Sequence, residues 1–246
     1  GRIWRVQTGK VTLFLLDTNI ERNSPDDRTI TDQLYGGDSE MRVRQELMLG
    51  IGGVRAFRAM GINITCYHMN EGHAAFLAVE RIRIEMKEHG MSFDEAHSFV
   101  TATNVFTTHT PVPAGNDRFL PEIIDKYFAD SYTEFGIDAK RFMALGRENP
   151  FDEEEEFCMT VLAIKTAFAC NGVSKLHGDV SRRMWNRIWP KLPPHEVPIG
   201  HITNGIQTLS WTSDEMMRLF HRYLGPGWID NPASKDIWNG IDNIPD

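Results

Sequence analysis

Cysteine is scarce: only Cys66, Cys158 and Cys170 occur in 246 residues, and no pair has CxxC spacing. An odd, scattered set argues against a disulfide framework and fits a reducing, cytoplasmic setting. No apolar run approaches the roughly 18–20 residues of a membrane span. The longest, at positions 11–16, is strand-sized. Basic residues are in the minority, 26 Lys and Arg against 34 Asp and Glu, for a net charge of −8. That sign suits phosphate backbones poorly and argues against nucleic acid as a partner. Neither HExxH nor GxSxG occurs, so the helical zinc pair and the hydrolase nucleophile elbow are both missing. The chain lacks an initiator Met and a secretory leader, and opens on strand-like residues, which reads as a trimmed polypeptide.

What is present is core-forming. With 41% hydrophobic residues the chain is neither disordered nor of low complexity. Apolar spacing predicts strands at 1–6, 11–17, 63–68, 104–109 and 197–203. It predicts helices over 39–60, 73–87, 118–128 and 177–189, with others opening at Ser92, Glu153 and Thr212. Residues 18–38 read as a long surface loop, and 169–175 as a short apolar link. Ser92–Glu95 and Ser131–Glu134 both have the capping-box pattern. Gly50 to Gly53 fall inside a helix pattern, so close helix packing explains them better than a dinucleotide loop. Strands alternating with helices predict an α/β fold, a parallel sheet with helices on both faces. The boundary falls at 224, with 1–224 as one domain and 225–246 as an aperiodic tail.

In an open parallel sheet, ligands bind at the carboxyl ends of the strands. Four such exits carry His or Asn beside Gly, at 67–73, 107–117, 171–177 and 201–205. His68, Glu71, His73 and His109 could supply metal ligands, but His68 and His73 are five apart, off the helical i, i+4 face, and no metal is assigned. The rim offers Asn, His, Glu, Asp and Thr, groups that hydrogen-bond hydroxyls, without the Lys/Arg cluster of a polyphosphate site. A polyhydroxylated ligand fits it better. Asp117 and Arg118 read as a helix start with a surface ion pair, and Trp185, Trp189 and Trp211 as core.

Five segments appear in order: YGGDSEMRVRQE from Tyr35, YHMNEGHAAF from Tyr67, FTTHTPVPAGND from Phe106, NGVSKLHG from Asn171 and HITNGI from His201. Together they resemble the α-glucan (glycogen/maltodextrin) phosphorylases of the bacterial and archaeal type, glycosyltransferase family 35. The resemblance implies reversible phosphorolysis of α-1,4-glucans by inorganic phosphate to glucose 1-phosphate, with retained configuration. It also implies a pyridoxal phosphate cofactor on a lysine, and a GT-B arrangement of two Rossmann-like domains facing a cleft. The chain resembles the later part of the N-terminal domain, and none of its lysines falls on the pyridoxal motif. That motif is expected in a missing C-terminal domain beyond the tail.

By the same resemblance, His109 falls on the histidine that touches the sugar being cleaved, its backbone carbonyl facing the developing cation. Asn204 falls on the asparagine holding that sugar's 6-hydroxyl. Asn70, Glu71 and His73 lie near the acceptor sugar, with Glu71 replacing the family's Asp. Arg42 and Arg44 border the entrance and phosphate side. The family is soluble and cytoplasmic, a homo-oligomer is a further expectation, and the isolated chain should be catalytically silent. Two alternatives stand: a sugar-nucleotide glycosyltransferase of the glycogen/starch synthase kind, and a carbohydrate-binding module without catalysis.

Overall fold

The computed structural model describes residues 1–34 and 36–245, so Tyr35, which opens one of the motifs, lies outside the described residues, as does Asp246. β1 (Arg2–Thr8) and β2 (Val11–Asp17) pair antiparallel, with Thr8 opposite Val11. Gly9, at φ +58°, makes the two-residue turn in a conformation that costs glycine no Cβ clash. Strands joined this tightly cannot be parallel neighbours, which need a crossover. The hairpin therefore forms its own sheet.

One helical turn, α1 (Pro25–Arg28), interrupts the expected loop. α2 (Ser39–Ala59) starts where the Asp38 side chain accepts the Met41 N–H at 2.9 Å. It buries Val43, Glu46, Gly50 and Val54. After β3 (Tyr67–Asn70) comes α3 (Phe76–His89), which packs against α2. A Cβ on Gly50 would lie 2.7 Å from the Leu77 backbone nitrogen, so this glycine sets the α2–α3 approach. Gly50→Ala is expected to cost about 1–3 kcal/mol as an overpacked contact, read as a lower urea midpoint.

α4 (Phe93–Thr101) carries the predicted capping box of Ser92 and Glu95 in full. β4 (Asn104–Thr108) follows. The expected helix at Arg118 is instead a two-residue strand, β5 (Arg118–Phe119). The helix waits for Pro121, a residue suited to a first turn, and α5 (Pro121–Phe135) then runs through Ser131–Glu134, so no second helix starts there. α6 (Ala139–Met143) precedes β6 (Phe157–Cys158), the antiparallel partner of β5.

The acidic run from Glu153 does not open a helix. Arg147 takes the carbonyls of Glu153 and Glu155, both at 2.7 Å. The Glu155 carboxylate accepts the Glu148 and Asn149 N–H groups, folding the run into a loop. α7 (Met159–Lys165) begins only after β6. The short link is a strand, β7 (Ala169–Gly172), too brief to show a period of its own. α8 (Lys175–Met184) is capped by Ser174, and β8 (Ile199–His201) completes the set.

The main sheet has order β3-β4-β7-β8, parallel throughout and flanked by helices. Met69 and Phe106 point from it into the core. Phe142 packs there on Phe128 and Phe157, ring centroids 4.9 and 6.0 Å apart. Trp185 is core as expected, but Trp211 is 79% exposed.

The chain divides into two compact units, Gly1–Thr203 and Asn204–Asp246. The second holds α9 (Thr208–Trp211), α10 (Asp214–Leu224), α11 (Gly227–Asp230) and α12 (Lys235–Trp238). α10 is capped by Ser213, one residue after the expected Thr212. Its Phe220 meets Trp228 and Trp238 edge-on, at 5.2 and 5.3 Å.

Candidate functional site

The exits of β3 and β4 meet because the last residue of β3, Asn70, is in register with Thr107, one short of the end of β4. The next backbone N–H, that of Glu71, donates to the Thr107 carbonyl at 2.9 Å. Glu71 then takes φ +67° and ψ 171°, the only non-glycine positive φ among the described residues. That region is nearly confined to glycine and costs about 1–3 kcal/mol. The Glu71 Oε1 accepts the His109 backbone N–H at 2.5 Å and the Thr110 hydroxyl at 3.0 Å. Asn116 fixes the far end of the β4 loop: its side chain donates to Val112 and Pro113 carbonyls and accepts the Thr160 hydroxyl at 2.7 Å.

Between these loops and α2 lies a cleft of about 720 Å³. Asn70, Glu71, His73, His109, Thr110 and Asp117 line it, with Arg42 reaching in from the helix. A larger cavity, about 1010 Å³, lies between the hairpin and α2. Its walls are mainly apolar (Phe14, Leu16, Leu49, Val54, Phe57), so polar groups make up a smaller share of its lining. The smaller, polar cleft is the candidate site.

A charged cluster backs one side of this cleft. Arg42 Nη2 lies 2.8 Å from Asp117 Oδ2 and 3.2 Å from Glu46 Oε1. His73 Nδ1 lies 3.1 Å from the same Asp117 oxygen and 3.7 Å from Glu46 Oε1. Ligand atoms of Glu46, His73 and Asp117 lie within 4.8 Å of one another, close enough for a cation. The Arg42 guanidinium already supplies positive charge among them, so the group reads as an ion-pair cluster. Burial pushes the Glu46 carboxyl up to about 8, and its Oε2 has no hydrogen-bond partner. Hydrogen bonds to Asp117 and then Glu46 raise His73 to about 9. Burial alone would raise Asp117 too, but the bonds from His73 and Arg42 outweigh it and hold the carboxyl well below the usual carboxylate range.

Of the residues expected at the site, Asn70, Glu71, His73, His109 and Arg42 come together in this cleft. Arg44 does not line it. Two residues after Arg42 on the same helix, it faces another way and pairs with Asp27 of α1 at 2.6 Å. Asn204 is the first residue of the second unit and is exposed. His68 is engaged within the sheet, its Nε2 2.8 Å from the Thr107 hydroxyl, which donates to Asn171 at 3.1 Å.

Asp117 and Arg118 do not pair with each other; Arg118 binds Glu148 at 3.0 Å. Glu46 and Asp117 were missed as partners because they meet only through folding. Asp117 is 75 positions from Arg42 and 44 from His73. The local signals are that Glu46 lies one helical turn after Arg42, at i+4, and that Asp117 follows the β4 exit.

Residues 57–236 match the family model described as carbohydrate phosphorylase. The chain is 44% identical over its whole length to maltodextrin phosphorylase of Thermococcus litoralis, of which it spans 29%. It is 42% identical to glycogen phosphorylase of Mycobacterium tuberculosis, with 99% of this chain and 29% of the relative covered. Glycogen phosphorylase of Aquifex aeolicus is 34% identical over 99% of this chain and 34% of its own length. A parallel α/β sheet, a polar cleft at two strand exits and a family match over most of the sequence agree: the chain belongs to the carbohydrate phosphorylase family.

Proposed function

We infer that the chain forms the sugar-side wall of an α-glucan phosphorylase, which cleaves α-1,4-glucans with inorganic phosphate to release glucose 1-phosphate with retention. The observation that carries this is the meeting of Asn70, Glu71, His73 and His109 in one polar cleft, in a chain 44% identical to a maltodextrin phosphorylase. In the reaction the bond from the anomeric carbon to O4 of the next sugar breaks. A phosphate oxygen bonds to that carbon, and a proton ends on O4. The transition state is cation-like, so positioned dipoles and charges do most of the work.

In this reading His109, Asn70 and Thr110 hydrogen-bond sugar hydroxyls, and His73 faces the acceptor side. Arg42 supplies positive charge at the edge where phosphate enters. By the family resemblance, Asn204 is assigned the 6-hydroxyl of the sugar being cleaved. Arg44 is placed at the entrance rather than on the sugar. The GT-B cleft is completed by a second Rossmann-like domain outside this chain.

Pyridoxal phosphate, the cofactor the resemblance implies, would supply a phosphate group for proton transfer. The residues here do not fit it. Among the described residues no lysine lines the cleft. Lys165, whose basicity burial pushes down, donates to the Ala144 and Arg147 carbonyls at 2.8 and 2.5 Å. The other lysines are exposed. The cofactor is assigned in this reading to residues outside the chain.

A phosphorylase-length polypeptide carrying this chain is expected to form glucose 1-phosphate from maltodextrin and inorganic phosphate, measured by a coupled enzymatic assay. The 246-residue chain alone is expected to form none. Free glucose as the product, or activity that ignores phosphate, would refute the assignment.

A further inference from the structure

Beside Glu71 sits a glycine, and the chain reversal does not use it. Gly72 is instead pressed on α7, where a Cβ would lie 3.0 Å from the Thr160 backbone nitrogen and 3.1 Å from the Met159 carbonyl carbon. Its missing side chain serves close packing, and the positive φ falls on Glu71. A second glycine at position 71 would relieve the strain. Glutamate brings a carboxylate in return, and that carboxylate is aimed. Its Oε1 holds the His109 N–H and the Thr110 hydroxyl, while the Glu71 N–H holds the Thr107 carbonyl. These bonds close a ring across the ends of β3 and β4, immediately around His109.

We propose that Glu71 is a positioning residue: its strained backbone directs a carboxylate that fixes the His109 main chain, and so the direction in which His109 faces the cleft. The kinetic consequence rests on the phosphorolysis reading above; the structural one rests on geometry alone.

Two variants separate strain from aim. Glu71→Gly and Glu71→Ala both remove the carboxylate, but only glycine relieves the backbone. Alanine normally gives the more stable protein of the two; here Glu71→Gly is expected to melt above Glu71→Ala. In the phosphorylase-length polypeptide both should lose kcat by the same factor, about tenfold or more from misplacement, with KM for maltodextrin within roughly twofold. Glu71→Gln, which keeps an acceptor oxygen, should retain part of the rate. Hydrogen exchange of the His109 amide should quicken about tenfold or more in both Gly and Ala variants.

Activity losses that follow the melting order, or wild-type kcat in Glu71→Gly, would overturn the proposal. If the unsubstituted polypeptide forms no glucose 1-phosphate, the phosphorolysis reading fails by itself. The exchange measurement then decides: a faster His109 amide supports the clamp, and unchanged protection refutes it.

Discussion

His109→Ala in a phosphorylase-length polypeptide is expected to slow glucan phosphorolysis about 100- to 1000-fold, the loss typical of one transition-state contact worth about 2.7–4 kcal/mol. The structure makes this a clean substitution. The loop is held through the His109 backbone N–H and the Thr110 hydroxyl, both on Glu71, so removing the imidazole leaves those bonds in place. His109 is exposed to the cleft rather than buried in the core, so no cavity opens behind it. The fall should therefore appear in kcat at nearly unchanged melting temperature. Steady-state kinetics checks this; a rate within about threefold of wild type would remove His109 from the proposed machinery.

Asp117→Asn is expected to cost about 3 kcal/mol of stability, the low end for breaking a buried ion pair because a quarter of the side chain meets solvent. Arg42 and His73 share one Asp117 oxygen, so an asparagine oxygen there still accepts, but the negative charge that both cations face is removed. The pH dependence should also change. His73 keeps its proton in the folded state up to about 9, against 6.5 in the unfolded chain. That contribution is complete below pH 6.5 and is lost as pH rises to about 9. Glu46, raised by burial from 4.5 to about 8, adds a loss of the same sign over its own window. Where the windows overlap, between pH 6.5 and 8, the native state holds more protons than the unfolded chain. Wild-type stability should fall there with rising pH, by up to about 1.4 kcal/mol per pH unit for each proton held. In Asp117→Asn the imidazolium loses the negative charge of its nearest partner and the slope should flatten. Urea unfolding at pH 6, 7, 8 and 9 compares the two; parallel curves would contradict the assigned coupling.

How much of this was legible in the sequence depends on how far apart the deciding residues lie. The Ser92–Glu95 capping box could be read because both partners sit within one turn. Ser131–Glu134 has the same pattern, yet a helix already begun at Pro121 overrode it. β3 lies at Tyr67–Asn70 rather than 63–68 because pairing with β4, not local apolarity, sets where the strand starts. Both hairpin strands are legible at 1–6 and 11–17, though not their pairing with each other, whereas the β7 strand and the acidic loop around Arg147 are decided by partners outside the segment.

The cleft itself was legible in part. Asn70, Glu71, His73 and His109 follow two strand ends, and an open parallel sheet gathers such ends. Their internal wiring was not, since the carboxylate of Glu71 reaches 38 positions along the chain to the His109 amide. Nothing local announces that a residue beside glycine, rather than glycine, takes the left-handed turn.

The most direct measurement is a crystal structure of the phosphorylase-length polypeptide with a bound maltooligosaccharide. Sugar hydroxyls are expected within hydrogen-bond distance of Asn70 and His109, with the His109 amide still on Glu71. Sugar seated instead in the apolar cavity between the hairpin and α2, with the polar cleft empty, would contradict that placement.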